Sequence, residues 1–105
     1  MQADLLKLAQ QGDPVAIARL LNSDLQPRDV TAKLLLREQR LKILLSADRA
    51  LDQTAFVQVI QQKIDQLAIS SIAAVKIYSQ QIGREFPDWT FEFVPAGYVA
   101  PLPPE

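Results

Sequence analysis

The chain has 105 residues, enough for one domain and too few for two, and its 49 % hydrophobic and 22 % charged residues sit near the globular average. Lysine and arginine number 11 against 12 aspartates and glutamates, so the formal charge of −1 provides no overall pull toward nucleic acid or anionic lipid. Cysteine and histidine are both absent, which excludes disulfides, thiol chemistry, Cys/His zinc sites and imidazole acid–base catalysis within one chain.

The start, "MQADLLKLAQQGDP", lacks the basic opening and unbroken apolar core of a signal peptide. No run approaches the roughly 20 apolar residues needed to cross a bilayer. These features predict a soluble protein with no membrane insertion, and the missing cysteines suit a reducing cytoplasm. Residues 3–11 read as a short helix with Leu5, Leu6, Leu8 and Ala9 as its apolar stripe. Asp13 then caps a second helix, from Pro14 to about Ser23. Its first turn tolerates the proline because the missing N–H has no helical partner there. In this helix Ile17, Ala18, Leu20 and Leu21 share a face, with Arg19 and Asn22 outside. The "LQPRD" stretch, 25–29, breaks the pattern.

Two alternating runs, 30–37 and 40–47, follow and are joined by Glu38–Gln39. A single amphipathic helix competes for the same residues, since Leu, Lys, Arg, Glu and Gln favour helices. The turn is weak evidence for a hairpin, because tight turns prefer Asn-Gly or Asp-Gly. The register decides for the hairpin. With residues 37 and 40 flanking the turn, Leu36 faces Leu41, Leu34 faces Ile43 and Ala32 faces Leu45, all on one side. Asp52 is expected to cap a third helix over 53–68, where Phe56, Val57, Ile60, Ile64 and Leu67 recur at helical spacing. Next, "IAAVKIYSQQI" reads as a strand with Val75 and Ile77 on one side and Lys76 and Tyr78 on the other. Gly83 ends it, Pro87–Asp88 turns, and Trp89–Phe93 forms a last short strand.

The predicted fold is α+β: helices packed on one face of a three- to four-stranded mixed sheet, in the order α-α-β-β-α-β-β. Residues 1–94 form the domain. Residues 95–105, with prolines at 95, 101, 103 and 104, form a tail expected to be extended or disordered.

Catalytic chemistry finds little support in this sequence. The acids are scattered and several sit at caps and turns; Asp48 and Asp52 are read as capping residues. Gly12, Gly83 and Gly97 are too far apart for a phosphate loop. The serines have no histidine to activate them. The chain is therefore expected not to be an enzyme, and no cofactor is expected.

The sheet face turned away from the helices is more informative. Its expected residues are Lys33, Leu35 and Arg37 on one hairpin strand, Arg40, Lys42 and Leu44 on the other, and Lys76 and Tyr78 on the third strand. Its cations have no outward acid between them, Glu38 being in the turn. A solvated face, with lysine and arginine stems covering the leucines, is the bland account. A protein interface, with a homodimer or a larger partner, fits the interleaved leucines, arginines and tyrosine better. The alternative is a weak single-stranded nucleic-acid binder using Lys33, Arg37, Arg40, Lys42, Lys76 and Tyr78, although sheet platforms usually offer two or three stacking aromatics. In "PDWTFEF", Trp89, Phe91 and Phe93 share one side of a strand. They are read as closing the core and less readily as a ligand platform.

Two segments, "GDPVAIARLLNSDLQPRDVTAKL" and "IAAVKIYSQQIGREFPDWTFEF", resemble a small α/β domain that recurs in uncharacterised cyanobacterial proteins. The matching positions are Gly12, Pro14, Ala16, Ile17 and Ala18, then Leu25, Gln26 and Pro27, then Val75, Ile77, Tyr78, Gly83, Pro87, Trp89 and Phe91. Ser79 stands where that family usually has glycine, and Glu38–Gln39 replaces a glycine-containing turn. The resemblance, over about residues 9–93, implies a cyanobacterial source and an accessory role with no established activity. It lends no catalytic residues.

Overall fold

The structure is a computed structural model that describes residues 2–99. It has three α-helices, α1 (Gln2–Gln10), α2 (Pro14–Leu25) and α3 (Gln53–Leu67), and four strands, β1 (Thr31–Arg37), β2 (Arg40–Ala47), β3 (Ala74–Gln81) and β4 (Trp89–Phe93). The strands form one mixed sheet in the order β1-β2-β3-β4. β1 and β2 are antiparallel, β2 and β3 parallel through α3, and β3 and β4 antiparallel. The expected α+β architecture and its element order are observed. So is the hairpin register, Leu36 against Leu41, Leu34 against Ile43 and Ala32 against Leu45.

Local chemistry sets the helix ends. The Asp13 carboxylate accepts the Val15 N–H at 3.1 Å ahead of Pro14, and the Asp52 carboxylate accepts the Ala55 N–H at 3.1 Å. Each side chain satisfies a donor that the first helical turn leaves free. Asp48 is different: it lies exposed with the Arg49 guanidinium 3.7 Å away. The "LQPRD" breaker contains a 3-10 turn, Gln26–Arg28, closed by Asp29 at φ 58.

A single apolar cluster fills the space between sheet and helices. Ile17, Leu21 and Leu25 of α2, and Phe56, Ile60 and Ile64 of α3, meet Leu41, Ile43, Leu45, Val75 and Ile77 of the two central strands. Side chains of a strand alternate between faces, so burying this set turns the intervening residues outward. Trp89 and Phe91 are half-buried against the core and Phe93 is buried, with the Phe91 and Phe93 rings 6.3 Å apart. This last strand closes the core, as expected.

Besides Asp48, four expectations are corrected. Among the described side chains of α1 only Leu5 and Ala9, four residues apart, turn to the core, while Leu6 and Leu8 are each 45 % exposed. Leu6 follows Leu5 by about 100° around the helix and so leaves that face, and Leu8, about 100° from Ala9, lies at its outer margin. Asn22, expected outside, is half-buried and bonded to β1: its amide accepts the Ala32 N–H at 2.7 Å and donates to the Ala32 carbonyl at 3.0 Å. The third strand begins at Ala74, leaving Ile72 buried in the preceding loop. Finally, residues 95–99 dock on the C-terminal end of α3. The Ala96 N–H donates to the Asp65 carboxylate at 2.9 Å, the Val99 N–H to the Ser70 carbonyl at 3.4 Å, and Pro95 is buried. The remainder of the expected tail, 100–105, lies outside the described residues.

Candidate functional site

Pairing across the sheet arranges the outward residues in rows. One row runs Arg37, Arg40, Ala74; the next Leu35, Lys42, Lys76, Glu92; the third Lys33, Leu44, Tyr78, Thr90. All the residues expected on the open face are therefore brought together. Lys33, Leu35, Arg37, Arg40 and Lys42 are exposed, whereas Leu44, Lys76 and Tyr78 are half-buried among their neighbours. Leu35 is 54 % exposed, an apolar side chain left in the midst of charges.

The acid on this face was not expected from the sequence. β4 lies beside β3 and sets Glu92 directly across from Lys76, so the face expected to lack an outward acid has one at its β4 side. The signal was present in the alternation of residues 89–93. What was missing was the position of that strand in the sheet.

The electrostatics of the rows are uneven. Arg37 is paired with Arg40 across the antiparallel ladder, and Lys42 with Lys76 across the parallel one. Like charges directly opposite each other destabilise a sheet. Tyr78 is engaged locally, since the Lys76 ammonium lies 5.2 Å from its ring centroid, within cation–π range. Shallow open hollows lie in this surface. One of about 290 Å³ is bordered by Lys33, Leu34, Leu35, Lys42, Leu44 and Tyr78. Another, of about 240 Å³, is bordered by Arg40, Lys42, Lys76, Tyr78 and Glu92 with Leu41 and Ala74.

The hairpin end of the face is braced from within. Glu38 adopts φ 57, a left-handed conformation unusual for a glutamate. The carbonyl of Gln39 accepts the Ala73 N–H at 2.7 Å and the Ala74 N–H at 3.3 Å. These bonds tie the turn to the start of β3 and hold Arg37 and Arg40 at the sheet's end.

Among the described residues no helix is long and apolar enough to cross a membrane, and no group of three or more acidic side chains is placed to hold a metal ion. No protein-family model, curated protein or solved structure gives a significant match to this chain.

Proposed function

We propose that this chain is a non-enzymatic binding domain that docks an acidic segment of a partner protein on its open sheet face. The observation that supports this reading is the stacking of like charges, Arg37 on Arg40 and Lys42 on Lys76, around the exposed Leu35. An acidic partner relieves a repulsion that the free sheet carries, while Leu35 and Leu44 supply apolar area at the centre of the contact. A second copy laid face to face sets cations against cations, so a different protein suits the surface better. The cytoplasmic, cyanobacterial and accessory parts of this reading rest on the resemblance of residues 9–93 and on the missing cysteines.

Single-stranded nucleic acid is the second reading, supported by the same cations. Its weakness is Tyr78, the one aromatic on this face among the described residues, whose ring already holds Lys76. A base stacking there would compete with that ammonium for the ring.

Titration with a labelled deca-glutamate peptide at about 50 mM salt tests the main reading. The parent chain is expected to bind it, and the Lys42→Glu/Lys76→Glu variant to bind at least tenfold more weakly. A variant that binds as well as the parent would remove the open face from the reading.

A further inference from the structure

The outer edge of β1 is half closed. Asn22 occupies both the N–H and the C=O of Ala32, so the backbone groups of Ala32 point away from β2. Along an antiparallel strand that direction recurs at every second residue. The N–H and C=O of Leu34 and Leu36 therefore point outward as well, and among the described residues no hydrogen bond uses them. Both side chains are half-buried at the margin of the core, and Leu35 between them is exposed on the basic face. Asn22 thus blocks one end of the edge and leaves two adjacent sites of a strand ladder open.

We propose that this edge takes up an extended acidic segment of a partner as a fifth, antiparallel strand, hydrogen-bonded to Leu34 and Leu36. The proposal rests on the acidic-partner reading above and specifies how such a partner is held. In this register the residue opposite Leu35 lies on the basic face, and its neighbours two positions away lie beside Lys33 and Arg37. Acids belong at those two flanking positions and an apolar residue between them. The two intervening residues turn toward the margin of the core beside Leu34 and Leu36, where β-branched side chains extend the apolar layer. The pattern recognised is acid–apolar–apolar–apolar–acid.

Charge also excludes a second copy as the occupant. With Ala32 already bonded to Asn22, two β1 edges that use both free residues of each copy must set Leu34 against Leu36. That register places Lys33 opposite Arg37 twice, setting like charge directly against like charge.

The test uses three peptides containing Glu-Val-Leu-Val-Glu: one unmodified, one N-methylated at both valines and one N-methylated at the leucine. All carry the same charge. In the antiparallel arrangement the valine N–H groups bond the edge and the leucine N–H faces away. The unmodified and leucine-methylated peptides are expected to bind alike, with amide exchange at Leu34 and Leu36 slowed at least tenfold, and the valine-methylated peptide at least tenfold more weakly. Equal binding of all three without protection at Leu34 and Leu36 would overturn strand addition and leave the face reading standing. Failure of every peptide to bind would overturn both. Protection of Leu34 and Leu36 that grows with protein concentration alone would make a second copy the occupant and overturn the choice of partner.

Discussion

The indole N–H of Trp89 donates a 2.9 Å hydrogen bond to the carbonyl of Leu51, a buried residue just ahead of α3. This bond fastens the edge strand β4 to the loop between β2 and α3. Trp89→Phe keeps most of the ring packing but leaves a part-buried carbonyl without its partner, at a cost of about 1–2 kcal/mol. Trp89→Ala also removes the ring and is expected to cost about 3 kcal/mol. Urea denaturation of both variants measures the two contributions. A Phe variant as stable as the parent would mean that the bond contributes nothing.

Ser79 lies on β3 between Leu45 and Trp89, buried, with its hydroxyl bonded to nothing among the described residues. A buried hydroxyl without a partner destabilises the fold, so Ser79→Ala is expected to raise stability by about 1 kcal/mol. A loss of stability instead would show that the hydroxyl bonds a buried water.

Gly97 presses on the end of α3. A Cβ built there would stand 2.7 Å from the Ala68 Cα and 2.6 Å from its carbonyl carbon, both backbone atoms that cannot swing aside. Gly97→Ala should therefore undock residues 95–99, with little effect on the rest of the fold. Limited proteolysis after Tyr98 reads this directly: cleavage should accelerate severalfold while the denaturation midpoint moves little. A large drop in that midpoint would mean that the docked segment belongs to the folding core.

The hairpin was legible in the sequence because period-two burial pairs Leu36, Leu34 and Ala32 with Leu41, Ile43 and Leu45 in one register only. Its turn at Glu38–Gln39 was placed by that register and not by its own residues, which have no intrinsic preference for a tight turn. The bonds from Ala73 and Ala74 to Gln39 hold it instead, and they come from residues far along the chain. Asn22 shows the same limit: its position on α2 marks it as polar, but its partner, Ala32, exists only once helix and sheet are packed. The docked tail is a third case, since prolines suggest an extended chain and say nothing of Asp65, which accepts the Ala96 N–H. For the candidate site, the cations could be read from alternation alone. Glu92 joined them only through the pairing of β4 with β3.

Leu35 and Leu44 both lie on the open face, outside the core cluster. Leu35→Lys with Leu44→Lys is expected to leave the circular dichroism spectrum unchanged and to lower stability by no more than about 1–2 kcal/mol, since Leu44 is only half-buried. The variant should lose affinity for the peptide that places leucine between glutamates, despite its greater positive charge. Unfolding of the variant would place Leu44 in the core. Tighter peptide binding would mean that charge alone governs the contact.

Salt separates the occupants of the basic face by sign as well as size. A single strand of nucleic acid touching the cations of Lys33, Arg37, Arg40, Lys42 and Lys76 would release counterions at each contact. With a slope of about −0.7 per phosphate, its affinity should fall on the order of a hundredfold between about 50 and 200 mM salt. Self-association through the same face should move the other way, because screening weakens the repulsion between two copies of the Arg37–Arg40 and Lys42–Lys76 pairs. An acidic peptide with leucine at its centre should weaken with salt less steeply than nucleic acid, because burial of Leu35 does not depend on ionic strength. Anisotropy with labelled peptide and labelled oligothymidylate, and sedimentation of the chain alone, cover the three cases. We expect a monomer at low salt, peptide binding that falls less than about tenfold over that range, and weaker binding of the oligonucleotide. Tighter oligonucleotide binding with the steeper slope would transfer this face to nucleic acid. A dimer that strengthens with salt would transfer it to a second copy.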